Sequence, residues 1–249
     1  MIKNIRLVIT FALIVPTFIL SIIPYSIVLL LKLCKATKLA NALAAVSFKT
    51  IIYLCVLFAG AKVTVIGSEK IPPKGTNLCY VGNHQSMLDI CLPIYARGRV
   101  GGFVGKIEVK KIPVVSNWFT LMGGVYLDRK SPRASIKAIL DASNNVKNGI
   151  PMIIFPEGTR SKDGSVATFK PGAFKLGTKV GAVIQPVVIA NSRKAVETRT
   201  SLLTQRIYVK YLDPIDSSKL SAEELIELPQ KVEDLIRAEV EYYQNVKTK

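Results

Sequence analysis

From Leu7 to Leu31 the chain carries no charged residue. As one continuous helix that run would be ~37 Å long, against a bilayer hydrocarbon core of ~30 Å. A second apolar stretch, Leu39 to Ala59, is interrupted only by Lys49. Apolar residues make up 49% of the 249 and mean hydropathy is +0.33, an excess concentrated in these two runs. The chain therefore reads as a membrane-anchoring segment, residues 1–60, followed by one domain, residues 61–249.

The basic residues constrain how the anchor sits. Lys3 and Arg6 precede the first run, and Lys32, Lys35 and Lys38 separate it from the second. A spanning hairpin would carry three lysines of a short loop across the bilayer, against the positive-inside tendency. Two helices dipping into one leaflet keep every lysine at one interface. Pro16 and Pro24 also favour a kinked path. The expectation is a monotopic helical pair on the cytoplasmic face, with a single span as the alternative. The first run exceeds the usual signal-peptide core of about 7–15 residues, so it reads as retained, although Ala-x-Ala sites occur at 40–42 and 42–44.

Charge points the same way. The net charge is +17, and seven of the seventeen acidic residues fall between Ser221 and Tyr243. The rest of the chain is thus more basic still, which suits an anionic membrane surface or phosphate-bearing substrates. No nucleic-acid-binding motif accompanies the charge, so nucleic acid is not an expected partner. Cys34, Cys55, Cys79 and Cys91 lie in apolar runs without metal-ligand spacing, and there is one histidine. No metal site is expected, and the thiols read as reduced and packed.

Beyond residue 60 the pattern turns to short apolar runs between turn residues. Lys62–Gly67, Asn77–Val81, Gly102–Gly105, Val125–Asp128, Met152–Phe155, Val183–Ile189 and Arg206–Leu212 read as strands. Helices are expected over Ser86–Tyr95, Pro113–Met122, 132–148 and Pro171–Lys179. Ser131 is an N-cap before Pro132, and Gly149 is a stop. Ser221 and Glu224 form a capping box that opens an acidic helix, broken or kinked at Pro229. Strands alternating with helices imply α/β: a mixed β-sheet flanked by helices.

Two clusters carry chemistry. Asn83-His84-Gln85-Ser86-Met87-Leu88-Asp89 follows a strand and enters a helix. Five steps along a continuous helix would turn His84 and Asp89 ~140° apart. They meet only if His84 sits in the turn and Asp89 in the first helical turn. Asp89 then fixes the imidazole tautomer and leaves the other nitrogen as a base. Phe155-Pro156-Glu157-Gly158-Thr159-Arg160 ends a buried strand, where sites of α/β sheets assemble. By itself, a surface Glu157–Arg160 pair accounts for it equally well. A Gly-x-Ser-x-Gly elbow is absent, which disfavours a serine hydrolase. Gly172 to Lys179 nearly spells a P-loop, but the lysine follows the threonine, so it reads as a helix with two glycines.

These clusters, with Gly124-Val125-Tyr126-Leu127-Asp128-Arg129 and Val183-Ile184-Gln185-Pro186-Val187, resemble in order and spacing the four blocks of the glycerolipid acyltransferases. The 1-acyl-sn-glycerol-3-phosphate acyltransferases are the most similar. The resemblance spans residues 83 to 187. It implies that His84 is the general base and Asp89 its orienting partner. The acceptor's free sn-2 hydroxyl attacks an acyl thioester directly, without an acyl-enzyme. Glu157, Gly158, Thr159 and Arg160 match the block that holds the glycerol phosphate of the lysophospholipid. Lys106 matches a lysine aimed at the phosphate, and Arg129 a further contributor whose alternative role is a solvated partner of Asp128. The implied donor is acyl-CoA or an acyl carrier protein thioester, a co-substrate with no other cofactor. Other acceptors, such as glycerol 3-phosphate or another lysophospholipid, and a non-enzymatic, basic lipid-surface binder remain alternatives. The expected rate rises with pH as an imidazole, reference pKa about 6.5, loses its proton.

Overall fold

The computed structural model describes residues 2–96, 99, 101–197 and 204–245, without the side chains of 2–7 and 245. The expectations for Lys3 and Arg6 thus lie outside the described side chains. The anchor is the expected pair of apolar helical arms, the first interrupted once: α1 (Ile2–Leu20) and α2 (Ile22–Leu33) make one arm and α3 (Thr37–Phe58) the other. Proline explains the break. Pro24 has no N–H for the Leu20 carbonyl four residues back, and its ring crowds that carbonyl, so the helix interrupts at Ser21. Pro16 stays inside α1. The turn into α3 closes on Lys35 in the left-handed region (φ 59°), with the Ala36 N–H bonded back to Leu31. Val8–Leu33 and Thr37–Phe58 are each long and apolar enough to cross a membrane.

The body follows the expected alternation, most boundaries moving by a residue or so. The strands are β1 (Ala61–Ile66), β2 (Leu78–Gly82), β3 (Gly102–Lys106), β4 (Val125–Leu127), β5 (Met152–Ile154), β6 (Val183–Ala190), β7 (Gln205–Tyr211) and β8 (Ile215–Asp216). The helices are α4 (Leu92–Tyr95), α5 (Val115–Leu121), α6 (Pro132–Lys147), α7 (Pro171–Thr178), α8 (Ser192–Val196) and α9 (Ala222–Asn245). Sheet order is β1-β7-β6-β2-β5-β3-β4, with β8 added to β6. Pairing is parallel from β6 through β4 and between β1 and β7, while β6–β7 and β6–β8 are antiparallel. The sheet is therefore mixed, as expected.

Alternation along the central strands divides the core. Leu78 and Tyr80 of β2 pack with Val187 and Ile189 of β6 on one face, together with α3, α4 and Trp118 of α5. Cys79 and Val81 turn to the other face, which α6, α7 and α9 cover. Alpha helix α3 contributes Ala40, Ala44, Phe48, Ile51, Ile52, Cys55 and Val56, an apolar stripe at helical spacing. Trp118 ties the anchor down: its Nε1–H donates to Ser21 Oγ at 2.9 Å, and its ring meets Tyr25 and Phe48. The anchor thus shares a core with the domain behind it.

Three expectations are corrected. The helix over Ser86–Tyr95 divides into a 3-10 turn, Met87–Ile90, and α4. Of the break or kink expected at Pro229, the break does not occur: helix α9 runs through the proline, with Leu228, Val232, Ile236 and Val240 holding both sides of it against the core. All four thiols are free, but Cys34, at the C-terminal end of α2, is exposed instead of packed.

Candidate active site

Because β6, β2, β5, β3 and β4 run parallel, their carboxyl ends lie along one edge of the sheet. The segments that follow them carry His84, Glu157–Arg160 and Arg129, and Lys106 is the last residue of β3. This is where α/β sheets assemble sites, since loops there project beyond the strand ends.

The His84 turn is built from its backbone outward. Beyond Gly82, fully buried Asn83 continues the β2–β6 pairing with its side chain. Its Nδ2 donates to the Ile189 carbonyl and its Oδ1 accepts from the Ile189 N–H, both at 2.8 Å. That clamp stops the strand and starts the turn. Ser86 caps the following 3-10 turn, its Oγ accepting from Leu88 N–H at 3.1 Å. Asp89 completes the capping box, and Ser86-x-x-Asp89 is its sequence signature.

Asp89 has no exposed surface. Its Oδ2 accepts from the Gln85 N–H (2.5 Å), the Ser86 N–H (2.6 Å) and lies 2.9 Å from His84 Nδ1. Three donors on one oxygen fix the carboxylate before any substrate arrives. His84 sits in the turn and Asp89 in the first turn of the helical segment, so the two side chains meet despite their five-residue spacing. The imidazole stacks on Phe155, at the end of β5, with centroids 4.4 Å apart and planes 15° apart. No described residue bonds His84 Nε2, which leaves that nitrogen open for a proton.

Glu157 is placed differently from a substrate-facing carboxylate. It is buried, Oε1 accepting from the His84 N–H at 2.7 Å and Oε2 from the Ala167 N–H at 3.0 Å. Burial raises its pKa, and the N–H donors of His84 and Ala167 lower it against that trend. Ser161 N–H also bonds the His84 carbonyl at 2.8 Å, so the two motif loops brace each other. Gly158 adopts φ +72° where the chain turns, a conformation strained for other L-residues.

Thr159 and Arg160 are exposed. Arg160 Nη1 lies 3.1 Å from Glu197 Oε1, and the same oxygen accepts the Met87 N–H at 2.9 Å. The alternative of a surface Glu157–Arg160 pair is thus not realised; Arg160 pairs with Glu197 instead. Lys106, at the end of β3, is exposed and lies 2.8 Å from Glu108 Oε1. Arg129 is exposed after β4, while the Asp128 carboxylate accepts the Lys130 N–H at 2.9 Å. The structure thus brings His84, Asp89 and Glu157 into direct contact and leaves Lys106, Arg129, Thr159 and Arg160 as an exposed set along the same edge. Glu197 has no signal in the sequence, since its contacts lie 37 and 110 residues away.

Such a site can move a proton at His84 Nε2 and hold an anion beside it. The model of the family described as Acyltransferase matches residues 62–190. A 1-acyl-sn-glycerol-3-phosphate acyltransferase of Borreliella burgdorferi is 30% identical over 80% of this chain and 80% of its own. A chloroplastic enzyme of that name from Arabidopsis thaliana is 33% identical over 64% of this chain, which spans only 45% of that longer protein. The crystal structure of the 1-acyl-sn-glycerophosphate acyltransferase of Thermotoga maritima superposes with a TM-score of 0.79, at 29% identity over 98% of both chains. Matched by that family model over half of its length, and 30% identical to a relative over most of both chains, this chain belongs to the acyltransferase family.

Proposed function

We propose that the protein transfers a fatty acyl group from a thioester to the sn-2 hydroxyl of 1-acyl-sn-glycerol 3-phosphate, forming phosphatidic acid. The observation that carries this reading is the 2.9 Å contact of His84 Nδ1 with a fully buried, triply bonded Asp89 carboxylate. It is supported by relatives whose names give that activity.

In this mechanism His84 Nε2 takes the proton of the acceptor hydroxyl as the oxygen attacks the thioester carbonyl. The Asp89 carboxylate stabilises the imidazolium that forms. The tetrahedral intermediate collapses with cleavage of the C–S bond, and the departing thiolate receives the proton held on His84. Glu157 keeps the His84 backbone in register, and Gly158 and Thr159 shape the turn that presents Arg160. Arg160, Lys106 and Arg129 hold the phosphate, the guanidinium fork of Arg160 suiting its oxygens.

The apolar helices attach the enzyme to the cytoplasmic face of an anionic membrane, both helical arms lying in one leaflet. Lys35 in the turn between the arms, with Lys32 and Lys38 at the helix ends on either side of it, supports this placement. Labelling of Lys35→Cys from the side opposite the catalytic domain would overturn it. For the chemistry, His84→Ala is assayed with lysophosphatidic acid and acyl-CoA in detergent or vesicles. Turnover is expected to be abolished with the protein still folded; an active variant refutes the mechanism.

A further inference from the structure

The reaction proposed above joins two anionic substrates, and its assigned cations, Arg160, Lys106 and Arg129, account for one. A second group of cations stands around a cleft of about 260 Å³ that begins at Gln85, the residue next to His84. Lys162, Asp163 and Gly164 line it from the loop after the Glu157 turn, Asn191, Arg193 and Lys194 from the segment leaving β6, and Gln244 from the end of α9. We infer that this cleft is the subsite for the phosphate end of the donor's pantetheine arm, the chemistry common to acyl-CoA and acyl carrier protein thioesters. The inference rests on the acyl-transfer reading and adds to it where the donor binds.

Three observations carry it. First, the lining holds three cations and one carboxylate, and that carboxylate is turned into its own loop. Asp163 Oδ1 accepts from Ser161 Oγ, Ser165 N and Ser165 Oγ at 2.6–3.0 Å, which holds that carboxylate in its own loop while the ammonium groups of Lys162 and Lys194 stand exposed at the cleft. Second, the walls are preformed. The amides of Gln85 and Gln244 both donate to the Gly164 carbonyl, at 2.7 and 2.8 Å, pinning the loop to the histidine turn and to α9. Third, Asn191 Oδ1 is buried without a hydrogen-bond partner among the described residues, an acceptor waiting for an N–H or O–H such as pantetheine supplies.

Size and place then select the donor over the acceptor. Whole-ligand pockets run from about 300 Å³ upward, so this one takes a headgroup-sized portion of a substrate. An acceptor phosphate is separated from its reacting hydroxyl by only two carbons, and must sit at the mouth beside His84. A thioester's phosphate lies at the far end of a long amide-linked arm, which allows a separate seat reached past Gln85.

The test uses the full-length protein and Lys162→Ala/Lys194→Ala, two exposed side chains whose loss leaves the core intact. With lysophosphatidic acid saturating, KM is measured for acyl-CoA, acyl-phosphopantetheine and acyl-pantetheine, which has no phosphate. The expected result is a roughly tenfold rise for the two phosphate-bearing thioesters relative to acyl-pantetheine. Asn191→Asp, which sets a carboxylate in the cleft, is expected to act in the same direction. A rise shared equally by all three donors, no rise, or a rise in KM for lysophosphatidic acid instead overturns the inference. Titration of free CoA onto wild type and the double variant, without acceptor, is expected to show the same tenfold loss. That measurement stands even if the wild type transfers nothing to lysophosphatidic acid, an outcome that would refute the function and not the subsite.

Discussion

Asp89 has no exposed surface and receives three donors on one oxygen, whereas Arg160 and Lys106 keep about half of their side chains in solvent. The difference follows from what each half of the site handles. A proton moves over tenths of an ångström, so its acceptor must be oriented before the substrate arrives. A phosphate on a flexible amphiphile is met by a long side chain that follows it. The cations are parked meanwhile on carboxylates, Lys106 on the exposed Glu108 and Arg160 on the half-buried Glu197, and the exposed Lys106–Glu108 pair is the one a phosphate displaces at small cost. Rigid geometry is thus concentrated where the chemistry is, and adaptability where the binding is.

The largest effect that would break this contrast is at Asp89. Asp89→Asn keeps the volume but replaces one oxygen with a donor, in a site where Gln85, Ser86 and His84 all approach the same oxygen. The imidazole then loses its tautomer control, and kcat is expected to fall by about 10²- to 10⁴-fold with acceptor KM nearly unchanged. Steady-state kinetics with varied lysophosphatidic acid reads both. If KM rises while kcat holds, the division of labour is wrong. Arg160→Ala is the converse. Loss of a charged hydrogen-bonding group, about 1.5–3 kcal/mol, predicts an acceptor KM roughly 10- to 100-fold higher with kcat largely kept. Arg160→Lys is expected to recover part of that loss, because the charge remains and the fork does not.

Glu157 joins the two halves and yields a prediction about pH. Its folded pKa is raised by burial, so the native state holds this proton more tightly than the unfolded chain does. Stability from this group therefore falls as pH rises from the ordinary carboxylate range through the raised value. Glu157→Gln removes that slope. It also leaves one of the N–H groups of His84 and Ala167 without an oxygen, a cost of about 1–3 kcal/mol. The wild type's thermal-stability advantage over Glu157→Gln is expected to be larger at pH 5 than at pH 7, read by unfolding in detergent. An advantage that grows with pH would mean the carboxylate is favoured where it sits.

These residues also mark where the sequence is legible. The meeting of His84 and Asp89 follows from local geometry: a strand, a turn and five residues admit one arrangement that brings them together. Ser86-x-x-Asp89 lies equally open as a capping box, and the apolar periods place most strands within a residue or two. What the sequence does not disclose depends on partners far along the chain. Asn83 looks like a motif residue but is a backbone clamp on Ile189, 106 positions on. Glu157 reads as a surface or substrate-binding carboxylate until the fold carries His84 N–H to it. No period announces Glu197, because one carboxylate oxygen serving Met87 and Arg160 is a tertiary coincidence of two loops. The break at Ser21 is half-visible, since Pro24 forecasts a disturbed helix without saying where the chain resumes. Trp118 docking onto that break is invisible beforehand.

The smallest effect tests the adaptable half most directly. Lys106 pulls the Glu108 carboxyl below its usual range, its hydrogen bond outweighing the smaller contribution of Lys130. Both side chains are exposed, so the pair itself contributes little to stability. If Lys106 is held there only until a phosphate arrives, Glu108→Gln removes the competitor and acceptor KM should fall by about two- to threefold. The carboxylate loses its hold as pH falls through the lowered value, so the advantage of Glu108→Gln should shrink under acid conditions. A double-mutant cycle with Lys106→Ala separates this from a general change in surface charge: the gain from Glu108→Gln should vanish when the lysine is gone. If the gain persists without Lys106, that lysine is a bystander at the sheet edge, and Arg160 and Arg129 must hold the phosphate between them.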